Sequence, residues 1–326
     1  MPRQSPSPTP SEPQTGRNGD AGLGRLSPPV SPSPRLPVSE LVGVLNVRKQ
    51  PGWTSHDVVA RLRRLSGQRR VGHAGTLDPI AEGVLPVLFG RATRLADYVG
   101  AARKSYYAEV QLGVATTTDD AEGEVILQEP APPLTLVDIE AALANFRGEI
   151  QQLPPRYSAV KVAGQRAYVL ARRGKDVPLQ PRTVSIYAIQ LRWFREAVIA
   201  LDVTCSRGTY VRALARDLAK ALGTVGHLRC LVRTQVGPFT LDDALSLEQI
   251  AARGVTVVLL PAEAALPDAP GYCAAAEDLV HLAHGRPVRV QGLKAQVVRV
   301  FSADNRMLFV GSADGELLHP RIALYA

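Results

Sequence analysis

Cysteine is scarce in this 326-residue chain: Cys205, Cys230 and Cys273 are the only three. Their number is odd, they lie far apart, and none has metal-ligand spacing. A disulfide framework and a zinc site both fit that pattern poorly, whereas reduced thiols in the cytoplasm fit it well. Long apolar runs are also missing. None approaches the ~18 residues of a membrane span, and the N-terminal residues hold no apolar stretch of a secretory signal, so a cytoplasmic protein without membrane contact is expected. Acid is in deficit as well, with 30 Asp and Glu against 38 Lys and Arg and a net charge of +8. That balance favours an anionic partner, a nucleic acid foremost, although a charge of this size also serves solubility alone.

Three compositional zones follow one another. Residues 1–39 are rich in Pro and Ser; ten of the 26 prolines fall within residues 1–38, and no aromatic does. Such a segment buries too little apolar surface to offset the entropy of ordering, so a disordered tail is expected. Residues 40–267 read as one large globular domain, and the Pro-rich joint LPDAPG at 266–271 sets off a small terminal domain at 268–326. The terminal domain is neutral, with six basic and six acidic residues. Positive charge is concentrated instead in RYSAVKVAGQRAYVLARRGKDVPLQPR (156–182), where seven Lys and Arg stand against one acid, with Tyr157 and Tyr168 interleaved. A groove that tracks a phosphate backbone needs that mixture, and a solvated helix face shows it too.

Periodicity predicts mixed α and β structure. Thr54 and Asp57 form a capping box before a helix whose Val58, Leu62 and Leu65 face inward, which sends Arg61, Arg63 and Arg64 elsewhere and ends at Gly67. KSYYAEVQLG (104–113) and the apolar stretches of 183–206 read as strands, and residues 135–146 and 208–223 as helices. In the second helix Val211, Leu214, Ala215, Leu218 and Leu222 form the buried stripe and Gly223 the stop. Arg212 is the oddity there. A cation in the first turn faces the positive end of the helix dipole, so it either reaches solvent or answers an anion.

The loop VGHAGTLDPIAEGVLP (71–86) offers that anion. Pro79 holds Asp78 in extended conformations, and Gly72, Gly75 and Gly83 permit close backbone approach, although Asp-Pro is also an ordinary turn opener. The stretch lacks the second carboxylate of a glycosidase pair and any metal-ligand cluster. A single carboxylate on a glycine-rich loop suits covalent nucleophilic catalysis, provided a cation keeps it ionised.

Six blocks carry a resemblance. GVLNVRKQPGWTSHDVV (43–59), RVGHAGTLDPIAEGVLPVLFGRATR (70–94), KSYYAEVQLG, PPRYSAVKVAGQRAYVLARRG (154–174), CSRGTYVRALARDL (205–218) and LVRTQVGPF (231–239) occur in order. Over about residues 41–265 the chain thus resembles the bacterial tRNA pseudouridine-55 synthase (TruB) family. Gln50 departs where a second proline is usual after the motif lysine Lys49, and Glu82 replaces a smaller polar residue. The resemblance implies an α+β fold: a mixed central sheet flanked by helices, followed by a PUA-like small β-barrel. It also implies isomerisation of a uridine in the T-loop of tRNA, by a monomer that needs no cofactor and no metal. Asp78, Arg212 and Tyr106 would be catalytic, with Arg212 keeping the Asp78 pKa low and Tyr106 stacking on the flipped base or relaying the C5 proton. Tyr210 and Leu231 would line the uracil pocket, His73 would stack to hold the extruded nucleotide, and Lys49 would join the substrate contacts. Arg166, Arg172 and Arg173 would belong to an RNA clamp at about 150–182. Whether Asp78 attacks C1′, attacks the ring or removes a sugar proton stays open at this level. A non-catalytic RNA-binding or tRNA-folding protein, and a synthase acting on another RNA, are the competing readings.

Overall fold

The computed structural model describes residues 40–158, 160–162, 165–167, 170 and 178–325, with the backbone alone for Lys161, Val162 and Arg166. The expected tail at 1–39 lies outside the described residues. The fold begins with the apolar run GVLNVRK, which forms β1 (Gly43–Lys49) and is buried everywhere except Arg48. β1 lies antiparallel to β3 (Glu82–Phe89), with Gly43 opposite Phe89 and Lys49 opposite Gly83. Continuous apolar strands of this kind are covered on both faces.

Among the described residues nine strands share one mixed sheet. Its order is β1-β3-β12-β4-β11-β10-β7, with β4 (Lys104–Leu112), β7 (Gly148–Gln152), β10 (Arg182–Arg195), β11 (Val198–Cys205) and β12 (Gly226–Val236). β2 (Val71–His73) adds to β3, and β13 (Phe239–Thr240) to β12. Two short antiparallel strand pairs form sheets of their own, β5 (Val114–Thr116) with β6 (Val125–Gln128) and β8 (Lys161–Val162) with β9 (Gln165–Arg166). The pairing of β12 with β3 is parallel, Arg233 opposite Gly83, whereas β12 runs antiparallel to β4 with Arg233 opposite Tyr106.

Residue alternation decides what faces the core. Lys104, Tyr106, Ala108, Val110 and Leu112 of β4 are buried, and the residues between them are half-buried on the other face. Against the buried face pack α1 (Ser55–Ser66), α3 (Leu136–Ala144) and α4 (Val211–Ala221), through Val58, Leu62, Ile139, Leu143, Leu214 and Leu218. α2 (Ala96–Ala101) lies just before β4. The capping box of Thr54 and Asp57 forms, and Gly67 closes α1 in the left-handed conformation at φ 66°. The expected inward stripe of the second helix is buried along its length, with Arg212 buried beside it.

Residues beyond 270 form a curled, PUA-like five-stranded sheet. Its order is β14-β16-β17-β18-β15, from β14 (Gly271–Cys273), β15 (Val288–Arg289), β16 (Lys294–Phe301), β17 (Met307–Asp314) and β18 (Leu317–Ala323). Val298, Val300, Phe309 and Leu318 make its own core. The joint at 266–271 marks a change of sheet but no break in packing. Met307, Val310, Ile322 and Leu324 join Val44, Val84 and Leu88 of the main sheet in a shared second core. Among the described residues no helix is long and apolar enough to cross a membrane, and no group of His, Cys, Asp and Glu is placed to hold a metal ion.

Candidate active site

The loop between β2 and β3 is built to keep Asp78 still. The buried Ser55 hydroxyl, at the start of α1, accepts from the Leu77 amide at 2.8 Å and lies 3.2 Å from the Leu77 carbonyl. Arg233 of β12 donates to the carbonyls of Gly75 at 3.0 Å and Thr76 at 3.3 Å, and through Nε to Val84 at 2.7 Å. Beneath the loop the amide of Gly52 and the Lys49 ammonium both reach the Pro79 carbonyl, at 2.9 Å and 3.2 Å. Every one of these bonds goes to backbone, so the loop is clamped while its one carboxylate is left to face outward.

Asp78 opens into a cleft of about 310 Å³ lined also by Lys104, Tyr106, Ser158, Arg207, Tyr210, Arg212, Leu231 and Arg233. That volume suits a small ligand. Oδ2 of Asp78 stands 2.9 Å from Nε of Arg212, off the N–H axis, so the contact is an ion pair rather than a linear hydrogen bond. The Arg212 side chain is 6% exposed and that of Asp78 37%. The other nitrogens of Arg212 are held by the carbonyls of Thr118 and Tyr157, both at 3.0 Å, and Nη1 lies 3.5 Å from the buried carboxylate of Asp120. The cation in the first turn of α4 thus answers two anions, which explains its placement against the helix dipole.

Electrostatics correct one expectation. Burial pushes the Asp78 carboxyl above its ordinary value, Arg212 pulls it down, and Asp120 adds to the rise; burial prevails. Arg212 therefore aims Asp78 and limits its desolvation penalty without holding its pKa low. Burial drives the Tyr106 phenol, beside the Arg233 guanidinium, up to about 12, so it is a neutral donor and acceptor at neutral pH.

The structure brings Asp78, Arg212, Tyr106, Tyr210 and Leu231 to one cleft. Tyr210 is the residue before α4 and is locked there by Gln152, whose amide group bonds both its N–H and its C=O. His73 is half-buried at the loop entrance and outside the cleft lining; its Nδ1 accepts from the Gly75 amide at 3.4 Å, and burial lowers its pKa. Lys49 is a second correction. It is 0% exposed, and its ammonium is spent on the carbonyls of Gln50, Trp53 and Pro79, so it supports the loop from below and lies outside the cleft lining. Tyr168, Arg172, Arg173 and the side chain of Arg166 lie outside the described residues. Sequence reasoning missed Ser55, Lys104, Asp120 and Arg233. A larger groove of about 1360 Å³ runs past Phe146, Tyr157 and Lys220, but its ion pairs, Arg216 with Asp119 and Asp217, are partly exposed and built between surface side chains.

Residues 63–211 match the model of the TruB family pseudouridylate synthase N-terminal domain, and residues 212–267 that of the tRNA pseudouridylate synthase B C-terminal domain. A tRNA pseudouridine synthase B of Symbiobacterium thermophilum is 50% identical over 76% of this chain and 83% of its own length. Its counterpart in an Arthrobacter species is 48% identical over 81% and 88%. The fold is shared with a chain of an H/ACA RNP bound to a substrate RNA containing 2′-deoxyuridine, at a TM-score of 0.68 and 23% identity over 87% of this chain and 85% of that one. It is shared also with a chain of a Cbf5-Nop10-Gar1 complex, at 0.67 and 24% over the same shares. With every strand of the main sheet but β1, and the whole Asp78 cleft, falling inside the matched residues, the chain belongs to the TruB family of pseudouridylate synthases.

Proposed function

We propose that this protein isomerises uridine 55 in the T-loop of tRNA to pseudouridine, with Asp78 as the nucleophile. One observation carries the reading: a clamped carboxylate paired with a buried arginine in a cleft whose other wall is the Tyr106 and Leu231 face of β4 and β12. The relatives' name, tRNA pseudouridine synthase B, supports tRNA as the substrate. The reaction breaks N1–C1′, turns the base and joins C5 to C1′; the proton lost at C5 is balanced by one gained at N1. It consumes no water, electron or phosphate, so a single carboxylate suffices. The target base must leave its stack to reach Asp78, and Tyr106 and Tyr210 offer aromatic faces to it.

Incubation with a tRNA transcript and with the isolated T-arm hairpin, followed by mapping of pseudouridine, should give one modified position, 55, in both. Modification elsewhere, or none, would overturn the reading. The pH dependence is a second expected outcome. Asp78 acts ionised, and burial raises its pKa, so the single-turnover rate should fall as pH drops from neutral, with its acid limb above the usual carboxylate range. A rate flat down to that range would show that Asp78 does not have to ionise.

A further inference from the structure

Four cations are buried around the Asp78 loop: Lys49, Lys104, Arg212 and Arg233. Lys49 is turned under the loop onto carbonyls, and Arg212 meets two carboxylates. Lys104 and Arg233 also bond carbonyls, Arg233 those of the loop itself, but unlike Lys49 they reach the cleft. Both line the cleft, at 8% and 1% exposure. Among the described residues neither has a carboxylate within 4.0 Å. They flank Tyr106 on the inward face of adjacent strands, Lys104 two residues before it on β4 and Arg233 directly across on β12. The Lys104 ammonium donates to the carbonyls of Gly100 at 2.7 Å and Ala102 at 3.1 Å, at the end of α2. Its third N–H has no protein partner among the described residues. Burial lowers its pKa to about 8, which leaves the charge on at neutral pH.

Two buried cations without counter-ions are costly to keep. Such a floor becomes favourable when a negative charge forms above it, the arrangement by which enzymes stabilise charge that develops only during reaction. Uridine isomerisation forms one. As N1–C1′ breaks, its electron pair stays on the uracil ring and spreads onto O2 and O4. The base remains an anion until C5 bonds to C1′, the C5 proton leaves and N1 takes a proton up. A backbone phosphate is the other anion of this RNA, but it would stay at the rim, where Arg207 is exposed.

We propose that Lys104 stabilises the detached uracil as an anion, its unpartnered N–H donating to a ring oxygen, while Arg233 adds positive charge from behind the Tyr106 phenol. The assignment rests on the reading of this cleft as a uridine-isomerising site.

The test uses the whole protein in excess over T-arm hairpins carrying uridine or 5-fluorouridine at the target, with loss of the N-linked nucleoside followed in a single turnover. Fluorine at C5 withdraws electrons and makes the ring a better anion, so it should relieve the need for Lys104. Lys104→Met should slow uridine by about 100-fold and 5-fluorouridine by about 10-fold or less, with RNA affinity within about threefold. Lys104→Gln, which keeps a donor and loses the charge, should show the same preference if the first variant folds poorly; the ratio of the two rates does not depend on the folded fraction. Equal slowing of both substrates would overturn the proposal in favour of a merely structural lysine. Weakened binding with unchanged rates would overturn it in favour of a phosphate contact. Wild-type protein that leaves uridine N-linked would overturn the isomerase reading itself, a result distinct from any change in the ratio.

Discussion

Asp78→Asn should lower single-turnover pseudouridine formation by about 10³-fold or more while RNA affinity stays within about tenfold. The amide keeps the shape of the carboxylate and a hydrogen-bonding oxygen, and loses the charge and nearly all nucleophilicity. The loop should not move, because its anchors are backbone bonds from Ser55, Arg233, Lys49 and Gly52. Arg212→Ala should be nearly as damaging, since it leaves Asp78 without the cation that aims it and strands the buried carboxylate of Asp120. Arg212→Lys should recover only part of the loss. Arg212 reaches Asp78, Thr118 and Tyr157 with three different nitrogens, and one ammonium cannot copy that fork. Turnover and binding measured on the same hairpin decide the matter: near wild-type turnover of Asp78→Asn would remove Asp78 from the chemistry, and loss of binding in parallel with rate would make it a binding residue.

The largest effect on stability is expected at Gly83, not at the cleft. Gly83 sits at φ 111°, and a Cβ there would lie 2.2 Å from the Arg233 carbonyl oxygen and 2.9 Å from its backbone nitrogen. Both obstacles are backbone, at the parallel junction of β3 and β12, so nothing flexible can yield. Gly83→Ala should cost about 4 kcal/mol or more, a loss typical of backbone strain and overpacking combined. Gly148→Ala is the matched control. Its φ of 85° is also left-handed, but no atom lies within 4 Å of the added Cβ, so it should cost only about 1–2 kcal/mol. Urea unfolding of the two variants reads the difference; equal losses would mean that the close approach is unimportant.

Local chemistry made part of this legible in advance. The box of Thr54 and Asp57 and the stop at Gly67 bounded α1, because caps act within one turn. The apolar stripe of α4 was readable for the same reason, and Arg212 stood out as a cation on the wrong end of its helix. What the sequence could not show is which distant segment answers such a residue. Asp120 is one acid in TTTDDAEG, and its place beside Arg212 arises only because that loop folds back onto α4. The parallel register that sets Arg233 against Gly83 is equally non-local. A usable signal existed for Lys104 and Arg233: both are charges at inward positions of strands whose neighbours two residues away, Tyr106 and Leu231, face the core. Lys49 carried the same signal and proved to serve the loop. Inward charge on a strand therefore announced burial without saying which buried group, carbonyl or reacting base, the charge would meet.

The core that joins the two sheets also has a consequence in time. Val44 of β1 shares a core with Met307, Val310, Ile322 and Leu324, residues more than 260 positions later in the chain. That core is therefore complete only once β17 and β18 have been made. Chains stalled before β17 lack these four residues, and the apolar surface they would cover stays exposed, a mark of an unfinished chain to chaperones and proteases. The packing that joins the small sheet to the large one thereby ties the full stability of the main sheet to strands made long after it.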